Sequence, residues 1–164
     1  MKYCIWSLMG HCHYKLNDMP KAMEYYHQIE TLDDPPHDMH LVSIRLGNCY
    51  LKYKQHKEAE KILYAISLVS PSTMTWCYLG IALYEQRKYL EAEMALSEAL
   101  RLDSSCPIVW AYLALINLQH EREWEYEQCF QQAIDFNLSN CLRNRIIHIR
   151  DVRIILDSWH EEMP

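Results

Sequence analysis

Apolar residues recur at spacings of three and four along most of this chain, with polar residues between them. In the stretch 89–102, for example, Ala92, Leu96, Ala99 and Leu100 fall on one side of a helix. This pattern predicts an all-α protein. The predicted helices are 2–16, 19–31, 38–54, 56–68, 73–86, 89–102, 107–120, 123–136 and 140–159.

An internal repeat organises these helices. Glycine occurs only three times, each time directly after Leu or Met, and each glycine is followed 12 residues later by an alanine. The glycines are Gly10, Gly47 and Gly80, and the alanines are Ala22, Ala59 and Ala92. Trp76 and Trp110 lie 34 residues apart, so the period is near 34. We place the extra residues between the first two repeats at 33–37.

Each repeat is predicted to be a hairpin of two helices. The glycine and the alanine are small because the two helices cross there, and larger side chains would push the axes apart. The boundaries predicted for the repeats are 3–36, 40–72, 73–106 and 107–139, within a single domain, 1–164. In the fourth repeat Tyr126 replaces the small alanine. We therefore expect either separated helices or a Tyr126 side chain that turns outward.

The pattern W-x-x-L-G with a downstream Ala resembles the tetratricopeptide repeat (TPR) over residues 3–138. The resemblance implies a right-handed TPR superhelix, an α-solenoid of about four helical hairpins. The segment 140–159 does not follow the period of about 34 residues. We predict that it is the capping helix that the end of a solenoid requires. Its Ile147, Ile154 and Ile155 make it apolar on more than one face, which is compatible with a homo-oligomer formed through this helix.

A closer resemblance is carried by YLGIALYEQRKYLEAEMALSEALRLDSSCPIVWAYLALINL, from Tyr78 to Leu118, and by NLSNCLRNRIIHIRDV after it. Both stretches are similar to the C-terminal repeats of the cilia- and flagella-associated protein 70 family. The resemblance implies a cytoplasmic protein of the axoneme in a cilium or flagellum, and a chain that is the end of a longer protein.

Composition narrows the classes of partner. The net charge is −6, from 16 Lys and Arg against 22 Asp and Glu, which argues against nucleic acid as a partner. No apolar run reaches the roughly 18 residues of a membrane span. The seven cysteines form no C-x-x-C pair, and an odd number of cysteines in apolar surroundings is typical of a reducing, cytoplasmic compartment.

Candidate catalytic and metal sites are weak. His11 and His13 point roughly 200° apart on a helix, so they cannot share one metal ion. The chain has no G-x-S-x-G, no Gly-rich phosphate loop and no H-E-x-x-H. We therefore predict no cofactor and no enzymatic activity.

The TPR resemblance implies a concave groove lined by the first helix of each repeat. The eight residues predicted to bind a partner there are Asn48, Leu51, Cys77, Ile81, Tyr84, Ala111, Leu115 and Leu118. Because most are apolar, the expected ligand is a helical or extended apolar segment of another protein. A clamp for a chaperone's C-terminal carboxylate is excluded, since Ser7, Ile44 and Cys77 stand where basic or amide groups are needed.

Two functions agree with these expectations. The first is a non-catalytic protein–protein interaction scaffold that takes part in assembly of the axoneme. The alternative is an adaptor subunit of an intracellular transport or cargo-sorting complex with the same fold.

Overall fold

The structure is a computed structural model that describes residues 2–30 and 39–162, with side chains described from Cys4 to Ile29 and from Met39 to Leu156. The insertion that we placed at 33–37 lies outside the described residues. Within them the chain forms only α-helices, which confirms the all-α prediction. The helices are α1 (Lys2–Lys15), α2 (Met19–Glu30), α3 (Met39–Lys52), α4 (His56–Val69), α5 (Thr73–Glu85), α6 (Tyr89–Leu102), α7 (Pro107–Gln119), α8 (Glu123–Asp135) and α9 (Asn140–Glu162).

The turn inside each hairpin has the same conformation in all four repeats. One residue there adopts a left-handed φ of 58–62°. These residues are Asn17, Lys54, Arg87 and Glu121. The next residue donates its backbone N–H five residues back, as Asp18 does to the His13 carbonyl at 2.9 Å. This bond satisfies a carbonyl at the end of the first helix, and it recurs at the turn of each hairpin.

The three glycines mark the points where paired helices touch, as predicted. A Cβ added at Gly47 would lie 2.6 Å from Leu63 Cδ2, and one at Gly80 would lie 2.6 Å from Leu96 Cγ. At Gly10 the obstacle is the ring of Tyr26. Real Cβ atoms essentially never lie so close to another atom, so a side chain at these positions would force the facing residue to shift.

The contacts divide the chain into two compact units, Met1–Ala99 and Leu100–Pro164. The first unit has a core centred on α2 and α3, where Met19, Tyr26, Val42 and Cys49 are buried. Farther along, Lys88 Nζ donates to both carboxylate oxygens of Glu60 on α4 at 2.8 Å. That a single repeat array continues across the boundary between the two units stays a prediction.

The second unit is built on α7, whose residues from Ala111 to Leu118 are all buried. α9 packs against α7. Ile146 of α9 is fully buried, and Arg153 pairs with Glu121 at 2.9 Å.

Our expectation for Tyr126 was wrong. The side chain does not turn outward, since it is only 4% exposed. The helices also stay together, because α7 and α8 remain in extensive contact. The ring of Tyr126 instead stacks on Phe130, with centroids 5.6 Å apart and planes 11° apart. The fourth repeat therefore accommodates a large residue at this position by packing it along its own helix.

Gly80→Leu tests the helix crossing. The new side chain would meet Leu96, and overpacking should lower the free energy of unfolding by roughly 1–3 kcal/mol in urea denaturation. Adding Leu96→Ala removes the obstructing atoms, so the double variant should lose less stability than the sum of the single losses. A Gly80→Leu variant as stable as the parent would contradict the assigned register.

Candidate functional site

The predicted groove residues fall into accessible and buried groups. We call the surface formed by α1, α3 and α5 the A-helix face. On it, Asn48, Leu51 and Ile81 are partly exposed, whereas Cys77 is fully buried and Tyr84 is 8% exposed. In the second unit, Ala111 and Leu115 are fully buried and Leu118 is 6% exposed.

These exposures limit what the eight residues can do together. A side chain without accessible surface cannot contact a partner unless the fold opens. The buried members belong to the apolar interior, and their contribution to a binding site stays a prediction. The accessible part of the predicted set is Asn48, Leu51 and Ile81, all in the first unit.

The A-helix face also holds a pair of cations on one aromatic ring. Arg45 Cζ lies 5.5 Å from the ring centroid of Tyr14, and Lys52 Nζ lies 5.9 Å from it. Asn48 donates a hydrogen bond from its amide to the hydroxyl of Tyr14. Lys52 donates to Asn17 Oδ1 at 3.1 Å. Cation–π contacts and hydrogen bonds thus hold both positive charges in place.

A second set of polar contacts lies where α1 approaches α2. His11 Nδ1 and the hydroxyl of Tyr26 are 2.9 Å apart, and Ser7 Oγ lies 3.2 Å from His11 Nε2. Burial raises the pKa of Tyr26 well above its ordinary value, and the hydrogen bond from Arg45 only partly opposes this effect. The Tyr26 hydroxyl therefore stays neutral and orients the polar groups around it.

Within the part of the chain that the structure describes, the two cations have no acidic counterpart. Among the described residues, neither Arg45 nor Lys52 lies within ion-pair distance of a carboxylate. In a chain with net charge −6, this part of the A-helix face is locally positive. Sequence reasoning missed the pair, although the spacing of seven residues that places Arg45 and Lys52 on one side of α3 is visible in the sequence.

The described residues offer no evident metal site, and the buried Cys49 is not a reactive thiol. No group of three or more His, Cys, Asp or Glu side chains among them could hold a metal ion. Burial raises the pKa of the Cys49 thiol to about 11, only slightly opposed by Lys52. At neutral pH Cys49 is protonated and therefore a poor nucleophile. Within the same residues, no helix has the length and apolarity needed to span a bilayer.

The sequence of the chain is similar to those of several known proteins. Residues 1–142 match the family model of the cilia and flagella-associated protein 70 C-terminal domain. The chain is 36% identical over 136 residues to cilia- and flagella-associated protein 70 of Homo sapiens, which covers 83% of the chain and 12% of that protein. It is 34% identical over 97 residues to tetratricopeptide repeat protein 21A of Mus musculus, which covers 59% of the chain and 7% of that protein. The chain thus spans a small part of these relatives.

Solved structures with the same fold include MamA, a TPR-type solenoid. A crystal structure of MamA superposes with a TM-score of 0.72 at 14% identity, covering 99% of this chain and 96% of that one. MamA 41-end from Desulfovibrio magneticus RS-1 superposes with a TM-score of 0.71 at 23% identity, covering 82% of this chain and 75% of that one. At these identities the likeness establishes the fold alone.

Thiol alkylation tests the burial of Cys49. At pH 8 a pKa of about 11 leaves roughly one Cys49 thiol in a thousand ionised. Iodoacetamide should therefore modify the exposed Cys12 and Cys141 in the native protein while Cys49 stays unmodified, as followed by peptide mass spectrometry. In urea all three should react. Equal native rates at Cys49 and Cys12 would contradict the described packing of α2 on α3.

Proposed function

The chain belongs to the family of the cilia and flagella-associated protein 70 C-terminal domain, and on that premise we propose that it is a non-catalytic scaffold that binds a partner protein on its A-helix face. The TPR fold, which presents rigid helical surfaces, supports protein binding as the activity. The names of the relatives support a place in a cilium or flagellum.

The observation that carries this proposal is the mixed surface of α3 and α5 in the first unit. Leu51 and Ile81 keep apolar area accessible, while Arg45 and Lys52 are held on the ring of Tyr14. A surface of this kind matches a partner segment that carries both apolar and acidic side chains. The charges fix the orientation of the segment, and burial of the apolar side chains supplies most of the affinity.

The proposed ligand differs from a chaperone's C-terminal carboxylate. The cations are not on the positions that such a clamp uses, and the apolar residues extend the contact along α3 and α5. An internal segment, helical or extended, can place apolar side chains against Leu51 and Ile81 and an acidic one near Arg45. The proposed site is therefore smaller than the set of eight predicted residues. It consists of the accessible ones and their charged neighbours.

Affinity capture tests the proposal. The double variant Leu51→Asp plus Ile81→Asp should fold like the parent, since both residues are partly exposed, and should lose the proteins that the parent captures from ciliated cells. The measurements are circular dichroism for folding and quantitative mass spectrometry for the captured proteins. A variant that is stable and captures the same proteins would exclude this face as the binding site.

Two control variants separate binding from stability. Leu90→Asp changes an exposed leucine on α6 and should leave both folding and capture unchanged. Leu115→Asp buries an uncompensated carboxylate and should lower the free energy of unfolding by several kcal/mol, so that its loss of binding follows from unfolding.

A further inference from the structure

A cavity opens on the first unit away from the A-helix face, where α4, α5 and α6 meet. Its volume is about 330 Å³. We call it the α4–α6 cavity. Its lining is mostly apolar and consists of Glu60, Tyr64, Trp76, Leu79, Leu83, Glu91, Met94, Ala95 and Glu98. Leu79, Leu83 and Ala95 form a buried floor, while Tyr64 and Met94 are 55% and 71% exposed at its mouth.

The cavity exists because two large side chains of the preceding repeat are replaced by smaller ones. Tyr50 and Ile62 occupy the positions that Leu83 and Ala95 take 33 residues later. At the earlier site the Tyr50 hydroxyl and His27 Nε2 lie 2.6 Å apart and bridge α2 and α3. Leu83 cannot make that bridge, so the equivalent space beside Tyr64 stays open. An accessible apolar cavity of this size is typical of a binding site.

The charged residues that line the cavity are all acidic. On α6, Glu91 and Glu98 are seven residues apart, or about 10 Å along the helix. On α4, Lys57 and Lys61 border the adjoining depression. Glu60 lies between the walls, and its charge is already balanced by Lys88. An occupant that fits this cavity is therefore apolar in the middle and basic on the side facing α6.

α9 of the same chain has a surface with this arrangement. Arg145, His148, Val152 and Ile155 recur at spacings of three and four and form one stripe, which we call the α9 stripe. All four are exposed. Asp151 lies outside this stripe and is paired with Arg150, whose Nη2 is 3.0 Å from Asp151 Oδ1. The face of α9 that contains Ile146 is buried in the second unit, so the stripe remains on the outside of it.

We propose that the α9 stripe of one copy of the chain docks into the α4–α6 cavity of a second copy. Val152 and Ile155 enter the cavity, and Arg145 faces Glu91 or Glu98. This contact goes beyond the proposed function, because it uses neither the A-helix face nor a foreign partner.

The two surfaces are different, so the contact is heterologous. After pairing, one copy keeps a free cavity and the other keeps a free stripe, and association therefore continues into rings or filaments. One helical stripe buries less area than the interface of an obligate dimer, so association is weak and depends on protein concentration.

Sedimentation velocity with complementary variants tests the contact under reducing conditions. The wild type should show a sedimentation coefficient that rises steadily with concentration. The cavity variant Glu91→Lys plus Glu98→Lys and the stripe variant Val152→Asp plus Ile155→Asp should each associate at least about tenfold more weakly. An equimolar mixture of the two should form pairs and stop there, because only one intact stripe meets one intact cavity.

Leu8→Asp is the matched control. Leu8 is exposed, apolar and on α1, so its substitution should leave association unchanged if the proposal holds. Three outcomes would overturn it: a wild type that stays monomeric at every concentration, association unchanged in both variants, or association lost in Leu8→Asp but not in them. Circular dichroism of each variant establishes that the fold is intact.

Discussion

Close approach of the two helices in each hairpin is the constraint on which the rest of the structure depends. In the first three repeats a glycine on the first helix meets a large side chain on the second, and an added Cβ would lie within 3 Å of it. The fourth repeat has Ala114 there instead of glycine. In the same repeat Tyr126 stands where the other repeats have a small alanine. Its ring is accommodated by stacking on Phe130, and burial raises the pKa of the Tyr126 hydroxyl. The crossing thus tolerates a large residue on one helix as long as the other stays small.

The sequence predicted the helices well because helix position follows from a local pattern. Each predicted end lies within three residues of the observed one. It did not predict the left-handed residues that close the hairpins, because Lys54, Arg87 and Glu121 have no preference for that conformation. Each costs about 1 kcal/mol. The hydrogen bond to the end of the first helix offsets this cost, and that bond exists only once both helices are in place.

The sequence did not predict which of the proposed groove residues are accessible, and the reason is physical. The TPR pattern predicts which side of a helix a residue is on, but exposure also depends on the neighbouring elements. Ile81 and Leu115 hold equivalent positions in their repeats, yet Ile81 is partly exposed and Leu115 is fully buried. The cations on Tyr14 were missed for a related reason, since both lie on α3 and only the fold brings them to the Tyr14 ring on α1.

Functional differences between repeats therefore lie at positions that the helix crossing does not use. Tyr50 and Leu83 are equivalent in sequence, but Tyr50 closes a gap between helices and Leu83 leaves one open. Neither residue takes part in the contacts of Gly47 or Gly80, so the exchange changes a surface without changing the hairpin. Arg45 and Lys52 likewise take no part in the helix crossing, since they lie on the side of α3 that contacts Tyr14. A repeat protein can acquire separate binding surfaces in this way, because each substitution affects one face of one hairpin.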